Sequence, residues 1–379
     1  MSQDYTIIKV ASAKQIDDFF SLRRKLYRDD PAIVFPLNSI ERQLLDPASH
    51  PLYEHACREM FAAYQGNQIV GRIVAIKDDL HNQHCDDQVG FFGFLEAVDD
   101  QVVFDQLIST ASDWLKEKGC NRIRGPVSPS MKGEFGLVTE GFDVTPMIML
   151  GHSLPRYVEQ IQACGFESVK RFHVYRYHSI QSQEMAERWS GFEQTERRLF
   201  QRFPQLRIGE VNRQNFATTI REINHLGNIV RSEGWGFVPL TESELNFMIQ
   251  NLRRIIRYDL IHVVYWEDRL IGYIVTIPDA NWALKKTLGK SDLVRMLQMP
   301  FLLKRTPRCR VIALGVDPDF RKKGVATILI NQLLKRHAEF KEWEFSWVDS
   351  DNLKSIRIIK RTLPLNRVRS FDLFEKAID

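Results

Sequence analysis

VIALGVDPDFRKKGVATILINQLLKRHA, residues 311–338, reads as a strand, a turn and a helix in one continuous run. Val311 to Val316 is an apolar segment of strand length. Asp317-Pro318-Asp319 interrupts it, and Arg321-Lys322-Lys323-Gly324-Val325-Ala326 follows. Apolar residues then recur at helical spacing at Ile328, Leu329, Leu333 and Leu334. A strand entering a helix through such a turn leaves backbone N–H groups unpaired at the positive end of the helix dipole. That suits a phosphate group. Gly324 permits close approach of backbone to ligand, and Ala326 keeps the first helical turn uncrowded. The Gly-Lys-Ser/Thr ending of a P-loop is missing, as is any G-x-G-x-x-G.

The charge distribution agrees with an anionic ligand for the C-terminal half. Residues 201–379 carry 30 Lys and Arg against 20 Asp and Glu, whereas residues 1–200 carry 22 against 28. A chain of 379 residues with 44% hydrophobic and 11% aromatic content is expected to build two domains with sizeable cores. The five cysteines (Cys57, Cys85, Cys120, Cys164 and Cys309) form no C-x-x-C pair, so free thiols in a reducing cytoplasm are expected, with no metal site. MSQDYTIIKV has no signal-peptide pattern, and no apolar run reaches the roughly 20 residues that span a bilayer. The expected location is cytoplasmic, with peripheral contact at the inner membrane face.

The chain repeats itself. QGNQIVGRIVAI (65–76) and WEDRLIGYIVTI (266–277) each read as a turn and a strand closing a hairpin, and Gly71 and Gly272 fall in register. Strand, helix and strand follow in both copies: 89–97, 103–119 and 121–125, then 311–316, Gly324 to Phe340 and 343–348. Each copy ends on a late alternating segment, FHVYRY (172–177) or FDLF (371–374). We therefore expect an α+β architecture, a mixed α/β sheet in each of two tandem domains, with 1–178 as domain one, 179–206 as a helical linker and 207–379 as domain two. At the position of the basic turn, domain one has Val98-Asp99-Asp100-Gln101, which is acidic and lacks glycine. It would repel a pyrophosphate, so one cofactor site is expected, in domain two.

Arg321-x-x-Gly324-x-Ala326 after the strand end resembles motif A of the GNAT superfamily of acyl-CoA-dependent N-acyltransferases. Segments such as RGPVSPS, EGWGFVP, PDAN and SWVDSDN resemble long bacterial members of that superfamily over nearly the entire chain, some of whose relatives look like bacterial ceramide synthases. The resemblance implies two tandem GNAT-like domains, the N-terminal one degenerate. It implies acyl-CoA as co-substrate, held by Arg321, Lys322, Lys323, Gly324, Val325 and Ala326, with the thioester along Leu314, Gly315 and Val316. An amide near Leu314 or Gly315 would face the oxyanion, and Asn352 would bond the cofactor. An acyl carrier protein is an alternative donor. Many GNAT enzymes use a late tyrosine as the acid, but no tyrosine follows Tyr273 here, and the late strand has Phe371 and Phe374.

Acyl transfer to an amine needs a base, an oxyanion donor and a route for the thiolate's proton. Glu344 and Asp349, on and just after a strand, are candidate bases, as is His225. A bland alternative makes Glu344 a lysine's partner and Asp351-Asn352 the cap of a helix starting at Leu353. Trp235, Phe237 and Asn281 are expected on the acceptor side, together with His152 and Tyr157 from a long polar loop region of domain one. Residues 282–310 hold eight Lys and Arg against one acid, Asp292, interleaved with leucine, methionine and phenylalanine. That composition fits an interfacial segment on an anionic membrane, a lid over an acyl chain, or an ordinary packed helix. The segment supports a lipid acceptor, and the resemblance to ceramide synthases implies a long-chain sphingoid base, with a small amine or amino acid as the alternative acceptor. A non-catalytic acyl-CoA sensor is the competing class. No nucleic-acid-binding motif is present.

Overall fold

The computed structural model describes residues 4–179, 183–352, 356–357, 360 and 363–378. They form two compact units: one of Met1–His173, Leu288–Arg295 and Val368–Asp379, the other of Val174–Thr287 and Met296–Arg367. The run from Leu353 expected as a helix starts outside the described residues.

Unit one contains strands β1 (Thr6–Lys9), β2 (Ala56–Gln65), β3 (Gln68–Asp78), β4 (Val89–Ala97) and β5 (Arg122–Gly125), then the short β6 (Val127–Ser128), β7 (Glu134–Phe135) and β8 (Leu137–Glu140). Its helices are α1 (Ala13–Leu26), α2 (Asn38–Leu44), α3 (Asp79–Cys85), α4 (Gln101–Glu117) and α5 (Arg156–Ala163). β1 to β4 form an antiparallel run, and β4 pairs in parallel with β5. Alternation along β3 sorts its two faces. A Cβ on Gly71 would lie 2.7 Å from Val103 and Leu107 of α4, while Arg72 points the other way and donates to the Phe19 carbonyl of α1 at 2.9 Å.

β9 (Glu167–His178) runs from unit one into unit two. Unit two then has α6 (Gln183–Arg202), β10 (Leu206–Gly209), α7 (Phe216–Arg231), α8 (Glu242–Leu252), β11 (Ile261–Trp266), β12 (Arg269–Pro278), α9 (Ala280–Lys286), α10 (Asp292–Leu303) from Met296 onward, β13 (Arg308–Val316), α11 (Val325–Arg336) and β14 (Glu342–Asp349). β10 to β13 are antiparallel, and β13 pairs in parallel with β14. Gly272 repeats the role of Gly71: a Cβ there would lie 2.6 Å from Val325 of α11. Both hairpins thus use glycine at one register position so that the next helix can close onto the sheet.

The units depart from the sequential division in three places, one of them Leu288–Arg295, which belongs to unit one. The last strand, β15 (Asn366–Ala377), delivers Val368 onward to unit one, where Phe374–Ala377 pairs with β5 and Ser370–Asp372 with β8. Val174–His178 of β9 belongs to unit two. Backbone pairing with distant strands, rather than proximity along the chain, assigns these segments. The segment expected as a linker is largely α6, which packs on α11: Glu196 accepts from Asn331 at 2.5 Å and Gln332 at 2.6 Å, and Lys335 pairs with Glu193 at 2.7 Å. Among the described residues no helix is long and apolar enough to cross a membrane.

Candidate active site

β13 holds β12 along its length but parts from β14. Its parallel ladder with β14 runs only from Arg308 opposite Glu342 to Val311 opposite Phe345. At that point the ladder with β12 skips a residue: Thr276 faces Val311 and Val275 faces Ala313, leaving Ile312 as a bulge. Cys309–Val311 are buried, whereas Ile312, Ala313, Leu314 and Val316 are half-buried. Among the described residues no strand pairs with this edge of β13 beyond Val311, and its backbone groups suit an extended ligand. Leu314, Gly315 and Val316 all lie on it.

The strand ends at the basic turn. Asp317 is buried, its N–H bonds Ile271 O, and its carboxylate pairs with Arg269 and accepts from Asp319 N–H at 2.9 Å. Arg321, Lys322 and Lys323 are exposed, and Lys322 (φ 62°) and Gly324 (φ 85°) are left-handed. The first intrahelical bond of α11 is Ile328 N–H to Gly324 O, 3.1 Å, and no side chain caps Gly324. The amides of Val325, Ala326 and Thr327 therefore face outward from the positive end of a 12-residue helix. Any Cβ at residue 324 would also meet Leu199 of α6 at 2.6 Å.

Unit one has the same splay and closes it. β4 pairs with β5 only over Val89–Phe91, but the Val127 carbonyl presses against Gly93, filling the opening with the unit's own chain. The N-terminus of α4 is capped by Asp100, which accepts from Val102 N–H at 2.9 Å. A carboxylate there occupies the place an anion would take.

Beside the end of the β13–β14 ladder lies a buried polar cluster. Glu344 is 0% exposed; its Oε2 accepts from Arg176 Nε at 2.9 Å, and its Oε1 accepts from the Ser346 hydroxyl at 3.3 Å. Ser346 in turn accepts from Arg310 Nε at 2.8 Å, and Arg310 stacks 4.5 Å from the Trp347 ring. Glu344 is thus enclosed and engaged on both oxygens. Asp349, half-buried on the part of β14 beyond the ladder, accepts from Asp351 N–H at 2.9 Å. Asn352 follows, its N–H bonded to Asp349 O at 3.0 Å.

A second group gathers around Gly315. A Cβ at that residue would fall 2.6 Å from the Tyr273 hydroxyl, so the phenol lies directly across the strand from it. Gly227 of α7 faces the same hydroxyl less tightly, with it and Arg231 Nη2 each 3.1 Å from its Cβ position. Burial pushes the Tyr273 phenol above its ordinary value. Arg231 also covers the Phe237 ring at 5.1 Å. In the sequence Tyr273 stands out only as the last tyrosine; its register opposite Gly315 is the signal that singles it out.

The remaining expected residues are dispersed. His225 is exposed on α7, and Trp235 and Phe237 are half-buried after it. Asn281 is in the first turn of α9, its N–H bonded to the buried Asp279 at 3.1 Å. His152 and Tyr157 belong to unit one and are buried. His152 Nε2 bonds Asp30 at 2.7 Å, and burial lowers its pKa to about 4. Tyr157 donates to Glu96 at 2.8 Å and accepts from Ala97 N–H at 3.1 Å.

The acetyltransferase (GNAT) family model matches residues 231–363. The chain is similar to Protein YghO of Escherichia coli (strain K12), 29% identical over 369 residues, covering 95% of this chain and 92% of that one. It is also similar to a bacterial ceramide synthase of Caulobacter vibrioides (strain NA1000 / CB15N), 25% identical over 385 residues, with 99% and 98% coverage. A tandem GNAT protein from the clavulanic acid biosynthesis pathway shares the fold at a TM-score of 0.56 and 9% identity, over 99% of each chain. The segment that the family model matches, residues 231–363, contains the bulged strand, the uncapped turn and α11 in sequence, and the chain as a whole has the fold of a tandem GNAT protein.

Proposed function

We propose that unit two transfers an acyl group from acyl-CoA to the primary amine of a long-chain lipid, with a sphingoid base as the leading acceptor. The carrying observation is the splayed, bulged β13 feeding an uncapped α11. Amides of Val325 to Thr327, with Arg321, Lys322 and Lys323 around them, would hold the pyrophosphate of coenzyme A. The pantetheine would lie along Ile312 to Val316, with an amide at Leu314 or Gly315 facing the oxyanion.

Asp349, outside the ladder, is our candidate to take the ammonium proton; Glu344, saturated by Arg176 and Ser346, positions the strands. The amine attacks the thioester carbon, and the tetrahedral intermediate collapses with loss of the CoA thiolate. Tyr273 would then give its proton to that sulfur, a role consistent with a phenol that burial keeps protonated. Similarity along the whole chain to a protein named as a ceramide synthase supports the lipid acceptor, as does the basic, apolar segment 282–310 with its expected membrane contact.

The test is free-thiol release from acyl-CoA of several chain lengths, with sphinganine, short alkylamines and amino acids as acceptors. Amine-dependent release with a long-chain base is expected. Preference for a small amine would replace the acceptor, and an acyl carrier protein used in place of CoA would replace the donor. Tight CoA binding without turnover on any amine would leave a sensor.

A further inference from the structure

We infer that the solvent face of α10 is a docking surface for an anionic lipid bilayer. Among the described residues ten large apolar side chains are exposed, and six of them lie between Leu288 and Phe301. Scattered surface apolar residues are ordinary, but a cluster on one short helix marks an interaction site.

The periodicity of α10 makes the cluster a face. At 100° per residue, Leu293, Val294, Met296, Leu297, Pro300 and Phe301 occupy one continuous arc, and all six are exposed. Leu293 is 68% and Leu297 73% exposed. The opposite arc holds Arg295, Gln298, Met299, Leu302 and Leu303, each buried or half-buried. Arg295 turns inward to donate to the Phe35 carbonyl at 2.6 Å and the Pro36 carbonyl at 3.2 Å. The helix is therefore apolar on its outer as well as its inner face, with its one arginine turned inside, unlike an ordinary surface helix.

Charge identifies the occupant. Lys286 and Lys290 precede the helix and Lys304 and Arg305 follow it, all exposed, with Arg305 3.9 Å over the Phe301 ring. The single acid, Asp292, is turned away: it accepts from Asn38 N–H at 2.8 Å and from Arg295 at 3.3 Å. An apolar strip bordered at both ends by cations matches acyl chains lying below anionic headgroups. A second copy of this chain would set cations against cations. Long aliphatic side chains on a convex helix also suit a fluid interior better than a shaped pocket.

The inference deepens the proposed lipid acceptor, because such an amine would be met at that surface, yet it stands on α10 alone. The full chain would be mixed with vesicles of phosphatidylglycerol and phosphatidylcholine, or phosphatidylcholine alone, and separated by flotation. Binding to the anionic vesicles that weakens with salt is expected. Leu293→Glu with Leu297→Glu should lower partitioning at least about tenfold, while circular dichroism and affinity for CoA stay unchanged. Lys304→Glu with Arg305→Glu should remove the salt sensitivity.

The inference is overturned by wild-type protein that ignores anionic vesicles, or by a Leu293/Leu297 variant that binds them equally well. It is also overturned by a face found covered in a dimer or by an acidic carrier protein instead. Vesicle binding without turnover on any amine would sink the acyltransfer reading and leave the docking surface. Turnover without vesicle binding would do the reverse.

Discussion

Arg176 and Glu344 form an ion pair across 2.9 Å, with the glutamate wholly removed from solvent. Truncating one partner leaves the other charge buried and uncompensated. Glu344→Ala should destabilise unit two by about 3–5 kcal/mol, and combining it with Arg176→Met should recover part of that loss. Thermal unfolding of wild type, Glu344→Ala, Arg176→Met and the double variant measures the coupling. If Glu344 were the catalytic base, Glu344→Gln would abolish turnover while preserving the fold; we expect it to retain measurable turnover.

Gly324 is constrained twice, by its left-handed φ and by Leu199. Gly324→Ala should weaken CoA binding at least about tenfold, and adding Leu199→Ala should relieve only the steric part, since the backbone strain persists. Asp100→Ala supplies the contrast. It removes a helix cap worth about 1 kcal/mol and should leave CoA affinity untouched. Calorimetric titration with CoA decides both, and undiminished affinity in Gly324→Ala would move the pyrophosphate away from this turn.

Tyr273 lies opposite Gly315 and is the proposed proton donor to the leaving sulfur. Tyr273→Phe should lower kcat by roughly 100-fold with little change in KM for acyl-CoA. Because burial raises the phenol, the wild-type rate should show no loss of this acid up to about pH 10, where an ordinary tyrosine ionises. A pH profile identical in wild type and variant, with equal kcat, would assign the proton to water.

His152 makes unit one acid-sensitive. Unfolded, it takes up a proton near pH 6.5; folded, burial holds its pKa at about 4. Between those values the unfolded chain binds the extra proton, so stability falls as the pH drops through this window and levels off below it. The loss should be on the order of 3 kcal/mol. Melting temperatures from pH 7 to pH 4 should decline for the wild type and flatten for His152→Gln.

The local units were readable directly from residue patterns. Strand, basic turn and helix followed from the apolar run, Gly324 and the 3.6-residue period, and the two hairpins followed from matched alternation around Gly71 and Gly272. These are properties of φ, ψ and side-chain periodicity over a few residues, which neighbours along the chain suffice to set. Glu344 shows where that reading stops: its strand and face were apparent, but not the arginine 168 positions earlier that engages it.

Long-range pairing decided the rest. β15 left its own half of the chain for β5 and β8, Tyr273 came opposite Gly315, and α10 turned Leu293 and Leu297 outward. Each outcome depends on which distant backbone groups complete a ladder or which surface a helix finds to cover. Such choices are made by hydrogen bonding and burial across the fold, and no window of sequence contains both partners.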